Sequence, residues 1–168
     1  MGRAEQAGPA ATVGAIVGRE RELQGVREAL AAAHAGRPTI TLLVGEAGIG
    51  KSRLADEAAA LARAGGARVL RGEADPSWRR PMELWRGVVR ALGVEPAADE
   101  SLPAQVRRWD HLESLADALS TDAPVLVVLE DLHWADASAI WVLAQLPRTL
   151  GDAAVAFVAT SRDREPDM

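Results

Sequence analysis

Gly45-Glu46-Ala47-Gly48-Ile49-Gly50-Lys51-Ser52 stands between an apolar run, Ile40-Thr41-Leu42-Leu43-Val44, and a helix-forming one, Arg53-Leu54-Ala55-Asp56-Glu57-Ala58-Ala59-Ala60-Leu61. The eight residues fit G-x-x-x-x-G-K-[ST], the pattern of a phosphate-binding loop, in the strand–loop–helix setting that the pattern requires. Glycines let the backbone turn tightly and aim successive N–H groups inward, and the start of a helix adds its own free N–H groups and dipole. In such a loop the lysine, here Lys51, reaches the β- and γ-phosphates, and the hydroxyl of Ser52 ligates Mg²⁺. Lys51 is the single lysine of the chain, beside eighteen arginines. A composition that uses arginine almost everywhere keeps a compact ammonium at the position where a phosphate calls for one.

Working outward, the N-terminal side holds Val13 to Glu22, then Leu23, Val26 and Leu30 at helical spacing. That spacing predicts a helix from about Arg19 to His34, ended by Gly36-Arg37-Pro38 and followed by a buried strand, Thr39 to Val44. After the loop, Leu54, Ala58 and Leu61 share one helical face, and Gly65-Gly66 stops that helix. Arg68 to Gly72 reads as a short second strand and Glu73 to Pro81 as loop. Leu84, Trp85, Val88, Val89 and Leu92 mark an amphipathic helix, as do Val106, Trp109, Leu112, Leu115 and Leu119, with a polar break over Gly93 to Glu100. Trp85 and Trp109 read as packing residues on apolar helical faces.

Val125-Leu126-Val127-Val128-Leu129 is apolar without alternation, the mark of a parallel strand covered on both faces. It ends in Glu130-Asp131. Two carboxylates at that end suit a magnesium–nucleotide site, one holding the metal and the other orienting the attacking water. Asp136 is placed to cap a helix bearing Ile140, Leu143 and Ala144, which Pro147 helps to end. Ala153 to Thr160 is a last buried strand, and Arg162 beyond it would lie at the ligand crevice, a candidate contact for the terminal phosphate.

The composition is that of an ordinary globular chain, 48% hydrophobic and 26% charged. A net charge of -5 argues against a nucleic-acid surface spread over it. There is no cysteine, and the three histidines lack zinc-ligand spacing. No apolar run has the length of a membrane span and no secretory signal opens the chain, so the expected setting is cytoplasmic. The expected organisation is a short arm over 1–12, a nucleotide-binding core over 13–164 and a tail over 165–168.

Four landmarks carry a resemblance: Ile16-Val17-Gly18-Arg19-Glu20-Arg21-Glu22, the loop Gly45–Ser52, Leu129-Glu130-Asp131-Leu132-His133-Trp134-Ala135-Asp136, and Thr160-Ser161-Arg162. In this order they resemble the P-loop ATPase domain of the signal-transduction ATPases with numerous domains, in particular that of large LuxR-type transcriptional regulators. The resemblance implies a three-layer α/β fold with a mostly parallel sheet, here lacking the fifth core strand and the lid. It implies that Val17, Gly18 and Arg19 border the adenine and ribose, that the loop and Arg53 hold the phosphates, and that Glu130 takes the magnesium position. Asp131 would take the catalytic-base position and Arg162 would sense the γ-phosphate. The family's first acid is commonly aspartate; the longer Glu130 leaves open which acid does which task.

The activity implied is binding of ATP or ADP with Mg²⁺ and slow hydrolysis, as the switch of a multidomain transcriptional regulator. Two alternatives stand beside it: a module that binds nucleotide without turnover, and an assembly fragment that binds none in isolation. The implied partners are downstream domains of a parent regulator, or a second chain at an exposed edge of the strand Thr39–Val44. Neither nucleic acid nor membrane is among them.

Overall fold

The computed structural model describes residues 19–77, 80–94, 101 and 103–163. Helix α1 (Glu20–His34) leads into strand β1 (Thr39–Gly45), the glycine loop and helix α2 (Lys51–Ala64). Strand β2 (Arg68–Glu73) follows, then a 3-10 turn (Glu83–Trp85) that runs into α3 (Arg86–Leu92), and α4 (Ala104–Leu119). Strand β3 (Val125–Glu130), a second 3-10 turn (Leu132–Trp134), α5 (Ala137–Thr149) and β4 (Val155–Arg162) complete it. None of the described helices is long and apolar enough to cross a membrane.

All strand pairings are parallel and the order is β1-β4-β3-β2. Alternation along the central strands divides the core. Val125, Val127 and Leu129 of β3 and Val155, Phe157 and Ala159 of β4 meet α3, α4 and α5, with Trp85 edge-on to Phe157. Leu126, Val128, Ala156 and Val158 face the other way and pack on α1 and α2 through Val26, Leu54, Ala55, Ala58 and Ala59. Helices on both faces make the three-layer α/β fold. The connection after β1 leaves on one face and those after β2 and β3 on the other. The C-terminal ends of β1 and β3 therefore flank a gap above β4, where ligands sit in open α/β sheets.

One contact is closer than side chains allow. A Cβ on Gly72 of β2 would lie 2.0 Å from the Leu84 carbonyl oxygen, and one on Gly87 would lie 2.3 Å from that of Arg71. The 3-10 turn and α3 thus rest directly on the backbone of β2.

The structure corrects several expectations. Strand β1 is an edge among the described residues, not a buried strand: Ile40, Leu42 and Val44 are 41%, 52% and 52% exposed, while Leu43 is buried. Trp85 is fully buried, but Trp109 is exposed and stands edge-on to Trp141 of α5. The core face of α4 is Leu112, Leu115, Ala116 and Leu119, and its first turns overhang it. Pro147 lies inside α5, which runs on to Thr149 and does not end at the proline. The buried face of α5 is Ala139, Val142, Leu143 and Leu146; Ile140 and Ala144 point outward. Residues 1–18 and 164–168, which include Val17 and Gly18 and any fifth strand from either terminus, lie outside the described residues.

Candidate functional site

The loop leaves β1 at Gly45 and enters α2 at Lys51. Gly48 and Gly50 have φ of 77° and 93°, the left-handed region that strains any other residue, which is the physical reason for glycine at both places. Gly50 is the N-cap of α2, so the free N–H groups of the first turn follow the loop directly. The Lys51 ammonium donates to the carbonyl oxygens of Gly45 at 2.8 Å and Glu46 at 2.7 Å. It is folded onto its own loop, a position that places a cation inside the curve of the backbone. Arg19, at the N-cap of α1, donates to the Ile49 carbonyl, which brings the arginine expected near base and ribose to the rim of the same loop. Ser52 and Arg53 occupy the exposed first turn of α2.

Register supplies the opposite wall. Gly45 pairs with Arg162, and the Asp163 N–H donates to the Gly45 carbonyl at 3.3 Å, so Arg162 stands exposed beside the first loop residue. One strand further on, β3 ends in Glu130. By alternation with Leu126 and Val128, Glu130 lies on the α2 face of the sheet, the face of the loop's own helix. With β4 between them, the ends of β1 and β3 stand about 10 Å apart, two interstrand spacings. Asp131 follows in a left-handed conformation, φ 59°, and its N–H donates to Thr160 Oγ1 at 3.0 Å. Thr160 is a buried polar residue, 2% exposed, and this bond fixes the backbone of Asp131 relative to β4.

The structure therefore gathers Arg19, the loop, Lys51, Ser52, Glu130, Asp131 and Arg162 on the loop side of the C-terminal strand ends. It also reveals a residue that the sequence reading passed over. Arg71 of β2 donates through Nη1 to Glu130 Oε1 at 3.0 Å and through Nη2 to Asp56 of α2. Its signal in the sequence is its phase: Arg71 is two residues from Val69, which packs toward α2. His133 has a buried side chain with Nδ1 3.7 Å from Asp131 Oδ1, and its ring leans on the exposed Trp134 at 4.9 Å. Asp136 caps α5 by accepting from Ser138 N and Ala139 N, and its other oxygen accepts from Met82 N at 2.9 Å. Two crevices of about 360 and 390 Å³ lie toward the β2 end of the row, around Trp134 and Asp136 and around Arg71 and Glu130.

The donor set fits a magnesium nucleotide. Among the described residues no group of three or more His, Cys, Asp or Glu side chains could hold a metal ion. Magnesium at a phosphate site takes one or two carboxylates and completes its shell from phosphate and water. A loop with two left-handed glycines and an inward ammonium supplies the anion half of that arrangement.

The AAA ATPase domain family matches residues 15–158. The chain belongs to this family. The AAA ATPase domain described above also resembles solved structures in fold. Cdc6p of Pyrobaculum aerophilum aligns with a TM-score of 0.68 at 19% identity, over 92% of this chain and 42% of that one. The ORC2 protein of Aeropyrum pernix, solved as ADPNP–ADP complexes, gives 0.62 at 19% identity, over 88% of this chain and 42% of that one. An uncharacterised protein of Rhizobium meliloti (strain 1021) is 25% identical over 89% of this chain and 19% of that relative's length. The AAA ATPase domain thus covers less than half of each of these proteins.

Proposed function

We propose that this domain binds Mg·ATP and Mg·ADP and hydrolyses ATP slowly at the β–γ bond, as the nucleotide switch of a longer cytoplasmic regulator. The observation that carries the reading is the placing of Glu130 and Asp131 at the end of β3, two strands from the Gly45–Ser52 loop, with Arg162 of β4 paired beside Gly45. With nucleotide bound, Lys51 would exchange the Gly45 and Glu46 carbonyls for the β- and γ-phosphates, and the Ser52 hydroxyl and Glu130 would hold the metal. Bound Mg²⁺ offsets phosphate charge. Asp131, its backbone held by Thr160, orients the attacking water and accepts its proton, and Arg162 contacts the γ-phosphate. Arg19 borders the nucleotide at the loop rim; a role for Val17 and Gly18 toward base and ribose rests on the sequence resemblance alone.

Slow turnover follows from the charges. Phosphoryl transfer depends on complete positioning of cations about the transferred group, and each missing arginine costs orders of magnitude. At the loop the described residues supply Lys51, Arg53 and Arg162, with Arg19 at the rim. That the ORC2 structure of similar fold is of ADPNP–ADP complexes agrees with an adenine nucleotide as ligand. The apolar edge of β1, together with the short share of each relative that the domain spans, supports its place beside further domains of a regulator, with a strand of another segment or chain against β1. The LuxR-type setting rests on Gly18-Arg19-Glu20 and Glu130 to Asp136.

Calorimetry with Mg·ADP tests the binding. Wild type gives a saturable heat and Lys51→Ala gives none; equal affinity in the two proteins refutes the assignment. Phosphate release under multiple turnover, lost in Asp131→Asn, separates an enzyme from a module that holds nucleotide without turnover.

A further inference from the structure

Glu130 meets a cation of the protein's own. Arg71 and Glu130 lie on neighbouring strands, on the α2 face of the sheet, and the guanidinium reaches diagonally from β2 to the carboxylate at 3.0 Å. Directly opposite Glu130 in the register is Glu73, a second carboxylate on the same face. The other arm of the same guanidinium holds Asp56 on the loop's helix. Arg71 is thus shared between the acid at the metal position and an acid on α2. It opens, with Glu73 and Glu130, onto the crevice of about 390 Å³ at the end of β2.

The magnitudes argue against a purely structural bridge. The side chains of Arg71, Asp56 and Glu130 are 39%, 55% and 23% exposed, and a pair as open to solvent as Arg71–Asp56 contributes little to stability. What such a pair changes strongly is the local charge next to a bound ion.

The geometry points to Arg71 as a positioning residue that competes with Mg²⁺ for Glu130, with Asp56 as the acid that draws it away. This rests on the reading of Glu130 as a metal ligand. Before the metal binds, Arg71 neutralises Glu130 and lets an anionic phosphate approach an otherwise acidic strand end. When the metal arrives, the guanidinium yields Glu130 and stays on Asp56. Nucleotide binding without metal and metal binding are therefore set against each other by one side chain.

Two substitutions separate the roles by sign. Arg71→Gln leaves Glu130 unopposed: the Mg²⁺ concentration giving half of the maximal gain in ADP affinity falls by roughly three- to tenfold, while affinity for ADP in EDTA weakens by a similar factor. Asp56→Asn leaves Arg71 to Glu130 alone, and the half-saturating Mg²⁺ concentration rises. A structural loosening would weaken every binding reaction together. In a Glu130→Gln background the shift caused by Arg71→Gln disappears, as a coupling through Glu130 demands. Calorimetric titrations of ADP at fixed Mg²⁺ concentrations read all of these. A wild type that responds to Mg²⁺ with an unchanged midpoint in Arg71→Gln overturns the inference and leaves the site reading standing. A wild type whose ADP affinity ignores Mg²⁺ overturns both.

Discussion

Gly72 stands where no side chain fits. An added Cβ would meet the Leu84 carbonyl oxygen at 2.0 Å and Leu129 Cδ2 at 3.0 Å, and the first of these is backbone that cannot swing aside. Gly72→Ala must therefore lift the 3-10 turn off β2 and withdraw Leu84 and Trp85, both buried, from the core. Overpacking of this kind costs about 3 kcal/mol, read as a lower urea midpoint. Gly25, inside α1, has nothing within 4 Å of an added Cβ. Gly25→Ala should raise stability by about 0.5–1 kcal/mol in the same measurement. The contrast tests whether close approach, and not glycine content, governs these positions. A Gly72→Ala protein with the wild-type midpoint would contradict the packing of the turn on β2.

At the scale of elements, Asp136 ties two of them together. One carboxylate oxygen caps α5 through Ser138 and Ala139, and the other accepts from Met82 N, whose residue has φ 64° at the entrance to the 3-10 turn. Asp136→Ala should cost about 2 kcal/mol, at the upper end for a cap, since three N–H groups lose their acceptor. Asp136→Asn keeps an acceptor oxygen and should recover much of that loss. The cap was legible in the sequence, because an aspartate before an apolar helical run has a local cause. So were the loop, its strand and its helix, and the run Val125–Leu129, each a pattern contained in a few neighbouring residues. What escaped depends on distant elements. Trp109 has the spacing of a core residue, yet only the later turns of α4 lie over the core. Arg71 reads as a polar strand end until β3 is set beside β2, which brings Glu130 to it across 59 residues of sequence. Glu130 and Asp131 were found as a pair, but nothing local tells that one is held by an arginine and the other by a threonine hydroxyl on its backbone N–H.

For the whole molecule, one consequence of the site is global. A ligand bound by the native state alone stabilises it by about 2.7 kcal/mol at a hundred times its dissociation constant. In a chain of this size that is a rise of roughly 5–10 °C in the melting midpoint, expected with Mg·ADP for wild type and absent for Lys51→Ala. The second consequence concerns the open side of the sheet. Strand β1 pairs with β4 along its whole length, and its other side is unpaired among the described residues. Ile40, Leu42 and Val44 share the face of the sheet that α5 packs against, since Ile40 is opposite Phe157 and Leu42 opposite Ala159. They form an apolar stripe at an edge, the arrangement that natural sheets protect with charge or cover. In the isolated chain this edge should pair with the same edge of a second copy. Leu42→Lys places a charge on a side chain already half exposed, so it should leave the stability within about 0.5 kcal/mol of wild type. The average mass by light scattering should rise with concentration for wild type and stay at the monomer value for Leu42→Lys. Equal association in both proteins would move the contact away from β1. Loss of the melting transition in the variant would mean that β1 is covered after all, and by the chain's own residues.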